Sequence, residues 1–299
     1  MLFKSIKGLS ETLYYKLLSN FDNLDDIYNA SINDLLSLSV PKNIAENIKN
    51  KVFNNDFVNR EFDLAEKNNI KIIGFNDSDY PELLREIPWP PYYLYTKGSL
   101  EALKKPTIAI VGSRKSSKNG LIFAEKIAYD LASVDFTVIS GFAKGIDISA
   151  HLGALQKGST VAVIGSGFNN IYPASHKRYI SSVLDTGCII TEYPFDEKPM
   201  PYNFPKRNRI ISGLSLGVIV VEAEFKSGSL ITVRYALEHN RAVFAVPHFP
   251  TNNSSAVNNN VTGTTGNKSY SCNSFFSSTG SPVLNVFLSS FSHYLIPPY

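Results

Sequence analysis

The sequence predicts an α/β protein in which a doubly wound parallel sheet follows a small helical domain. Six short β-branched runs lie within residues 106–250, separated by amphipathic segments of helix length. Strands that are apolar throughout and alternate with helices are typical of a parallel sheet covered on both faces. Residues 1–67 instead carry apolar residues at i, i+3 and i+4, which is the spacing of an amphipathic helix.

The apolar spacing in residues 1–67 predicts several short helices joined by tight turns, as in a helix-hairpin-helix or SAM-like domain. Ser31 is a suitable N-cap with Asp34 in the first turn, and Pro41 begins the next helix. Such domains often bind the nucleic-acid backbone, but Val40 stands where the hairpin needs a glycine. A packing or protein-contact module is therefore favoured over a DNA-binding one.

Two further segments flank the predicted sheet. Residues 68–105 form a connector with one short strand and an aromatic, proline-rich stretch whose rings either stack on bases or cover a domain seam. Residues 251–299 are rich in Ser, Asn and Thr, and their one charged residue is Lys268. We expect this divergent, low-charge tail to be poorly ordered.

Charge and composition narrow the class of protein. Residues 1–104 hold 12 Lys/Arg against 15 Asp/Glu, whereas residues 105–250 hold 16 against 11. A mildly basic central domain suits a polyanionic partner, although chance variation explains it equally well.

Cys188 and Cys272 lie far apart, so neither a disulfide scaffold nor a zinc site is expected, and no apolar run is long enough to span a bilayer. The N-terminus lacks the features of a signal peptide, so we expect a cytoplasmic protein with no membrane partner.

Small residues follow four of the predicted strands, where a doubly wound sheet binds its ligands. Glycine lets the backbone approach a phosphate, and the N-terminus of the next helix offers free N–H groups. These turns lie in the segments "VGSRKSSKNG", "SGFAKGIDISAH", "GSGFNNIYPASH" and "EAEFKSGSLITVRYALEH". Small residues in such turns are common for steric reasons alone. Because four of these turns meet at one edge of the sheet and the first contains Arg114, we favour an anion-binding pocket.

Several enzyme classes do not fit these turns. The third turn has Asn170 where a dinucleotide-binding fingerprint needs its last glycine, and no GxxxxGK[ST] motif occurs. The histidines show no metal-ligand spacing, and no serine lies in an activated GxSxG context. The chain is therefore expected to be a binding protein, not an enzyme, with no metal and no cofactor.

The stretch "NFPKRNRIISGLS", residues 203–215, holds Lys206, Arg207 and Arg209 with no acid among them. Such a cluster is either a solvated surface or a binding site for an anion. The buried strand that follows it places the cluster at the ligand-binding edge of the sheet. We therefore interpret it as a phosphate clamp.

Four segments carry a resemblance, which extends over about residues 70–247, to the DNA-processing protein A family (DprA/Smf). They read "IAIVGSRKSSKNG", "VISGFAKGIDISAHLGAL", "NFPKRNRIISGLS" and "SGSLITVRYAL". The resemblance implies an extended Rossmann-like domain that binds single-stranded DNA without motor or nuclease activity. It also implies a homodimer that protects incoming DNA during natural transformation and loads the RecA recombinase.

The family's motifs assign DNA-binding candidates on this chain. Carried over by position, they are Ser113, Arg114, Gly141, Lys144, Gly145, Lys206, Arg207, Asn208, Arg209, Ser227, Gly228 and Ser229.

Two alternatives stay open. The fold also resembles that of nucleoside-monophosphate phosphoribohydrolases, which depend on a PGGxGT segment and a catalytic glutamate, whereas this chain has Arg234 near the position of the acid. The chain also departs from the family after Pro247, where the usual GTN-type motif and winged-helix domain do not follow. The second alternative is accordingly a decayed, inactive member of the family.

Overall fold

A computed structural model describes residues 1, 3–224, 227–246, 263–265 and 268–270. The chain divides into two compact units, residues 1–70 and 71–299. Most of the tail predicted for residues 251–299 lies outside the described residues. Two short strands of that region, β9 and β10, pair antiparallel at Gly263–Thr265 and Lys268–Tyr270.

The first unit is helical. Ser31 caps its third helix as the sequence predicts, since its hydroxyl accepts a hydrogen bond from the Asp34 N–H while the Asp34 carboxylate accepts one from the Ser31 N–H. Leu17, Ile27 and Ile48 are fully buried. The helices are α1 Glu11–Asn20, α2 Leu24–Asn29, α3 Ile32–Ser37, α4 Lys42–Lys49 and α5 Asn55–Lys67.

The second unit is built on a sheet that has eight strands within the described residues, and it confirms the predicted α/β class. The strands, in chain order, are β1 Lys71–Gly74, β2 Tyr93–Gly98, β3 Thr107–Val111, β4 Thr137–Ser140, β5 Thr160–Val163, β6 Cys188–Thr191, β7 Gly217–Val220 and β8 Ala242–Ala245. Across the sheet their order is β1-β2-β6-β5-β4-β3-β7-β8. Six neighbouring strands, β6-β5-β4-β3-β7-β8 in sheet order, pair in parallel. Strand β2 pairs antiparallel with β1 and β6.

The segment expected to be a connector supplies two strands of this sheet. Its aromatic residues take different positions, because Tyr93 and Tyr95 are buried whereas Trp89 is exposed. The Tyr95 ring packs edge-on against Phe195, with 5.4 Å between the ring centroids. Tyr93 and Tyr95 are therefore core residues and are not available to stack on bases.

Helices cover both faces of the sheet. One apolar core lies between the strands and helices α7 Lys118–Ser133 and α8 Ile146–Leu155. A second lies on the opposite face, beneath α6 Glu82–Arg85, α10 Asn203–Gly213 and α11 Gly228–Glu238. Helix α9, Ile180–Thr186, packs with β5 and β6 in a third cluster. No helix of the described residues is long and apolar enough to cross a membrane.

The order of the strands locates the ligand-binding crevice. From β3 the chain winds outward through β4, β5 and β6, and it then returns to place β7 on the other side of β3. The loops after β3 and β7 therefore leave neighbouring strands toward opposite faces. A crevice opens between such loops at the carboxyl ends of the strands, which is where doubly wound sheets bind ligands.

Candidate nucleic-acid interface

A cavity of about 670 Å³ opens at the carboxyl ends of β3, β4, β5 and β7. Each of the four segments predicted to hold a ligand-binding turn contributes at least one residue to its lining. Of the predicted site residues, those that line it are Ser113, Arg114, Arg207, Asn208, Ser227, Gly228 and Ser229. The other predicted residues, Gly141, Lys144, Gly145, Lys206 and Arg209, lie outside its lining.

The loop after β3 presents two exposed cations to the cavity, Arg114 and Lys115. Ser113 is buried, its N–H donates to the Glu222 carbonyl at 2.7 Å, and its hydroxyl accepts from the Lys115 N–H at 3.1 Å. Ser113 therefore shapes the loop. Arg114 is exposed, and its guanidinium lies 5.5 Å from the centroid of the Phe204 ring. A guanidinium over a ring is held in place while its N–H donors stay accessible.

The loop after β4 depends on its two glycines. Gly145 has φ +80°, a backbone conformation that glycine adopts without strain. A Cβ at Gly141 would come within 2.6 Å of the Asp147 Oδ2 and 2.7 Å of the Arg207 Nη2. Glycine at position 141 therefore lets these two side chains meet beneath the loop. Lys144, between the glycines, is exposed.

The basic stretch forms the first turns of helix α10. Around the helix Arg207 points about 100° away from Lys206, while Arg209 lies about 60° from Lys206 in the opposite direction, so the three cations spread over different faces. Lys206 is exposed, whereas Arg207 and Arg209 are buried, at 3% and 7% exposure. The spacing along the chain therefore does not bring the three charges onto one surface.

Arg207 connects the loops from beneath. Its Nη1 donates to the Gly141 carbonyl at 2.6 Å and also to the Val163 carbonyl at the end of β5. Asp147 stands beside it, and the Asp147 carboxylate accepts a hydrogen bond from the Ala143 N–H at 3.3 Å. The pair thus binds the loop after β4 at two points.

Burial dominates the titration of this pair. Burial lowers the pKa of Arg207 to about 10, although the Asp147 charge opposes it, so the guanidinium remains protonated at neutral pH. Burial likewise raises the pKa of Asp147, against the attraction of Arg207 and Arg114. At both groups the neighbouring opposite charge acts against the effect of burial on the pKa.

The side chains of Arg209 and Asn208 also form hydrogen bonds within the protein. The Arg209 guanidinium binds the buried Glu192 carboxylate with both Nη atoms, at 2.8 and 2.6 Å. Such a bidentate pair, out of reach of water, fixes α10 to the end of β6. The Asn208 amide donates to the Gly228 carbonyl at 3.1 Å and so ties α10 to the start of α11.

The start of α11 forms the opposite wall of the cavity. The hydroxyls of Ser227 and Ser229 lie 2.6 Å apart. A Cβ at Gly228 would meet no atom within 4 Å, so the space in front of the helix is open. The unpaired N–H groups and positive dipole of a helix N-terminus favour an anion there.

Two aromatic rings complete the cavity wall. Tyr172, half exposed, packs against Phe204 with 5.8 Å between the ring centroids. Phe204 was not among the predicted site residues, although its place in the "NFPKRN" motif was an available signal. Phe142, in contrast, is fully buried against His151 and His176 and cannot stack on a ligand.

The charges around the cavity are mixed. Arg114, Lys115 and Arg207 line it together with Asp147 and Glu224. Because Asp147 balances Arg207, the accessible positive charge comes from the loop after β3. No group of three or more His, Cys, Asp or Glu residues in the described part of the chain could hold a metal ion.

Arg234 bears on the phosphoribohydrolase alternative. It lies on the solvent face of α11, where its Nε is 3.4 Å from the Glu238 carboxylate, and it does not line the cavity.

Comparison with known proteins gives consistent matches. A family model described as DNA recombination-mediator protein A matches residues 71–277. Protein Smf of Synechocystis sp. is 37% identical over 256 residues, which are 83% of this chain but 64% of that protein. The chain therefore spans less than two thirds of this relative's length.

Two solved structures are similar to this chain. The X-ray structure of DNA processing protein A from Streptococcus pneumoniae is 36% identical, with a TM-score of 0.73 over 85% of this chain and 88% of that one. DNA processing protein A from Helicobacter pylori, whose structure describes a single-stranded DNA binding mode, is 28% identical. Its TM-score is 0.58 over 64% of this chain and 86% of that one.

Proposed function

The chain belongs to the DNA recombination-mediator protein A family, and from this premise we propose that it binds single-stranded DNA in the cavity at the carboxyl edge of its sheet. The observation that carries the proposal is the pairing of Arg114 with the Tyr172 and Phe204 rings on one wall. Single strands are bound by cations that follow the phosphates and by aromatic faces on which bases stack. The cavity offers both.

The predicted site residues divide into two roles under this proposal. Arg114, Lys144 and Lys206 are exposed cations and contact phosphates, Arg114 from the cavity lining and the two lysines from outside it. Ser227, Gly228 and Ser229 supply the N-terminus of α11 to another phosphate oxygen. The residues that shape or hold the loops instead of contacting phosphate are Ser113, Gly141, Gly145, Arg207, Asn208 and Arg209.

We also propose that the protein acts by binding and not by catalysis. The resemblance to the family supports a cytoplasmic homodimer that protects incoming strands during natural transformation and loads RecA onto them. A RecA-loading assay on oligo(dT), with size-exclusion chromatography of the free protein, tests the loading and the dimer separately from DNA binding.

The experiment that tests the DNA site compares Arg114→Ala with wild type in binding fluorescent oligo(dT) at several salt concentrations. For single strands the slope of log K against log salt changes by about 0.7 for each phosphate contact. We expect the variant to bind more weakly and with a slope about 0.7 shallower. Arg234→Ala, which removes an exposed arginine outside the cavity, is the matched control and should change neither quantity.

Two results would contradict the proposal. One is wild-type affinity and slope in Arg114→Ala. The other is equal affinity of the wild-type protein for single- and double-stranded oligonucleotides, because stacking on the Tyr172 and Phe204 rings requires unpaired bases.

A further inference from the structure

A second surface lies just outside the cavity, on residues 198–202. Pro199 and Pro201 line the cavity, while Lys198, Met200 and Tyr202 are exposed and do not line it. The segment is thus part of the cavity wall, and its exposed side chains that do not line the cavity form the outer face of that wall.

The outer face of this wall is both aromatic and basic. Tyr202 is 56% exposed and Met200 38% exposed. Lys206 lies one helical turn beyond Tyr202, with its ammonium 5.8 Å from the centroid of the Tyr202 ring. A large ring left in water beside a cation repeats the combination that Phe204 and Arg114 form inside the cavity.

Resting on the proposed function, we propose that Met200, Tyr202 and Lys206 form an outer track on which single-stranded DNA continues after it leaves the cavity. A base stacks on Tyr202, the Met200 side chain packs against its edge, and Lys206 contacts the adjoining phosphate. Stacking is tolerant of base identity because every base has a π face, so the track extends the binding site without adding sequence preference.

The chemistry of the surface favours nucleic acid over a protein partner. A protein-docking surface on a helix is mainly apolar at its centre, whereas here a lysine lies directly beside the exposed ring. The surface is also continuous with the candidate DNA site, since Phe204 and Pro205 of the same helix line the cavity. Pro199, Pro201 and Pro205 restrict the backbone, so less conformational entropy is lost when a strand binds.

The track makes affinity depend on strand length. A strand that fills only the cavity does not reach Tyr202, and a longer one does. Single-strand-binding folds occupy about 4 to 16 nucleotides, so oligo(dT) of about 4 and about 16 nucleotides brackets the two cases.

The experiment measures the binding of Tyr202→Ala and Tyr202→Phe to both oligonucleotides. We expect Tyr202→Ala to lower affinity for the long strand about 5-fold or more, to leave the short one unchanged, and Tyr202→Phe to behave as wild type. Lys206→Gln should make the salt slope about 0.7 shallower with the long strand only. Leu237→Ala removes a similarly exposed apolar residue from the far end of α11 and should change nothing.

The outcomes separate the track from the cavity. Equal losses on both strands, or no loss on either, would overturn the track. Loss of affinity for a protein partner without any loss for the long strand would replace it with a protein-docking surface. A different result would contradict the cavity proposal: Arg114→Ala would then bind the short strand with wild-type affinity and salt slope.

Discussion

Removal of Arg207 tests whether the buried guanidinium holds the loops of the proposed DNA site or would itself contact DNA. Arg207→Met keeps much of the side-chain length and removes the charge. It leaves the Gly141 and Val163 carbonyls without their donor and Asp147 without its cation. Arg207 and Asp147 line the cavity, and the two carbonyls belong to the loop after β4 and the end of β5, so the substitution acts on the backbone that supports the cavity.

The cost follows from the burial of the pair. Arg207→Met leaves the Gly141 and Val163 carbonyls without their donor, at about 1–3 kcal/mol of unfolding free energy for each unsatisfied group, and it leaves any charge on the buried Asp147 carboxylate uncompensated. Asp147→Asn in the same chain removes that charge. The double variant should therefore recover about 0.5–3 kcal/mol relative to the sum of the single losses.

The stability of Arg207→Met should also depend on pH. Burial already raises the pKa of Asp147, and loss of Arg207 raises it further. A group whose pKa is higher in the folded state contributes stability at low pH and loses it as pH rises through the folded value. Urea unfolding of Arg207→Met should therefore show a larger deficit at about pH 8 than at about pH 5.

Binding to oligo(dT) gives the measurement that distinguishes the two roles. We expect Arg207→Met and the double variant to bind more weakly with an unchanged salt slope, since no phosphate contact is removed. Arg114→Ala provides the contrasting case, with its slope about 0.7 shallower. A slope shallower by the same amount in Arg207→Met would refute the positioning role and identify Arg207 as a phosphate contact.

Two further predictions concern stability. Arg209→Met should lower the unfolding free energy by about 3–5 kcal/mol, and adding Glu192→Leu should restore most of it, as urea unfolding can show; a double variant as unstable as the single one would argue against the ion pair. Burial lowers the pKa of His151 to about 3, so its contribution to stability should fall by about 1.4 kcal/mol per pH unit below about pH 6.5. His151→Gln should remove this contribution from the slope of unfolding free energy against pH, and an unchanged slope in the variant would contradict the role of His151.

The strands and the site loops were predictable because each has a local cause. Runs such as "TIAIV" and "GVIV" form buried strands, because apolar β-branched residues satisfy both faces of a covered parallel sheet. Gly112 and Gly141 directly follow β3 and β4, where a Cβ would collide with the neighbouring side chains of Ile146 and Asp147. The connector was harder to predict, since β2 is defined by its partners in the sheet and not by its own pattern.

The sequence by itself determined the fold class, the edge of the sheet where ligands bind, and the family to which the motifs belong. Only the tertiary structure decided what each cation does. Lys206, Arg207 and Arg209 are close along the chain, but the helix that contains them sends one to solvent and two inward. Asp147 and Glu192, far away in sequence, then balance the buried charges. The physical reason is that the free energy of a charge depends on its burial and its partners, and folding sets both.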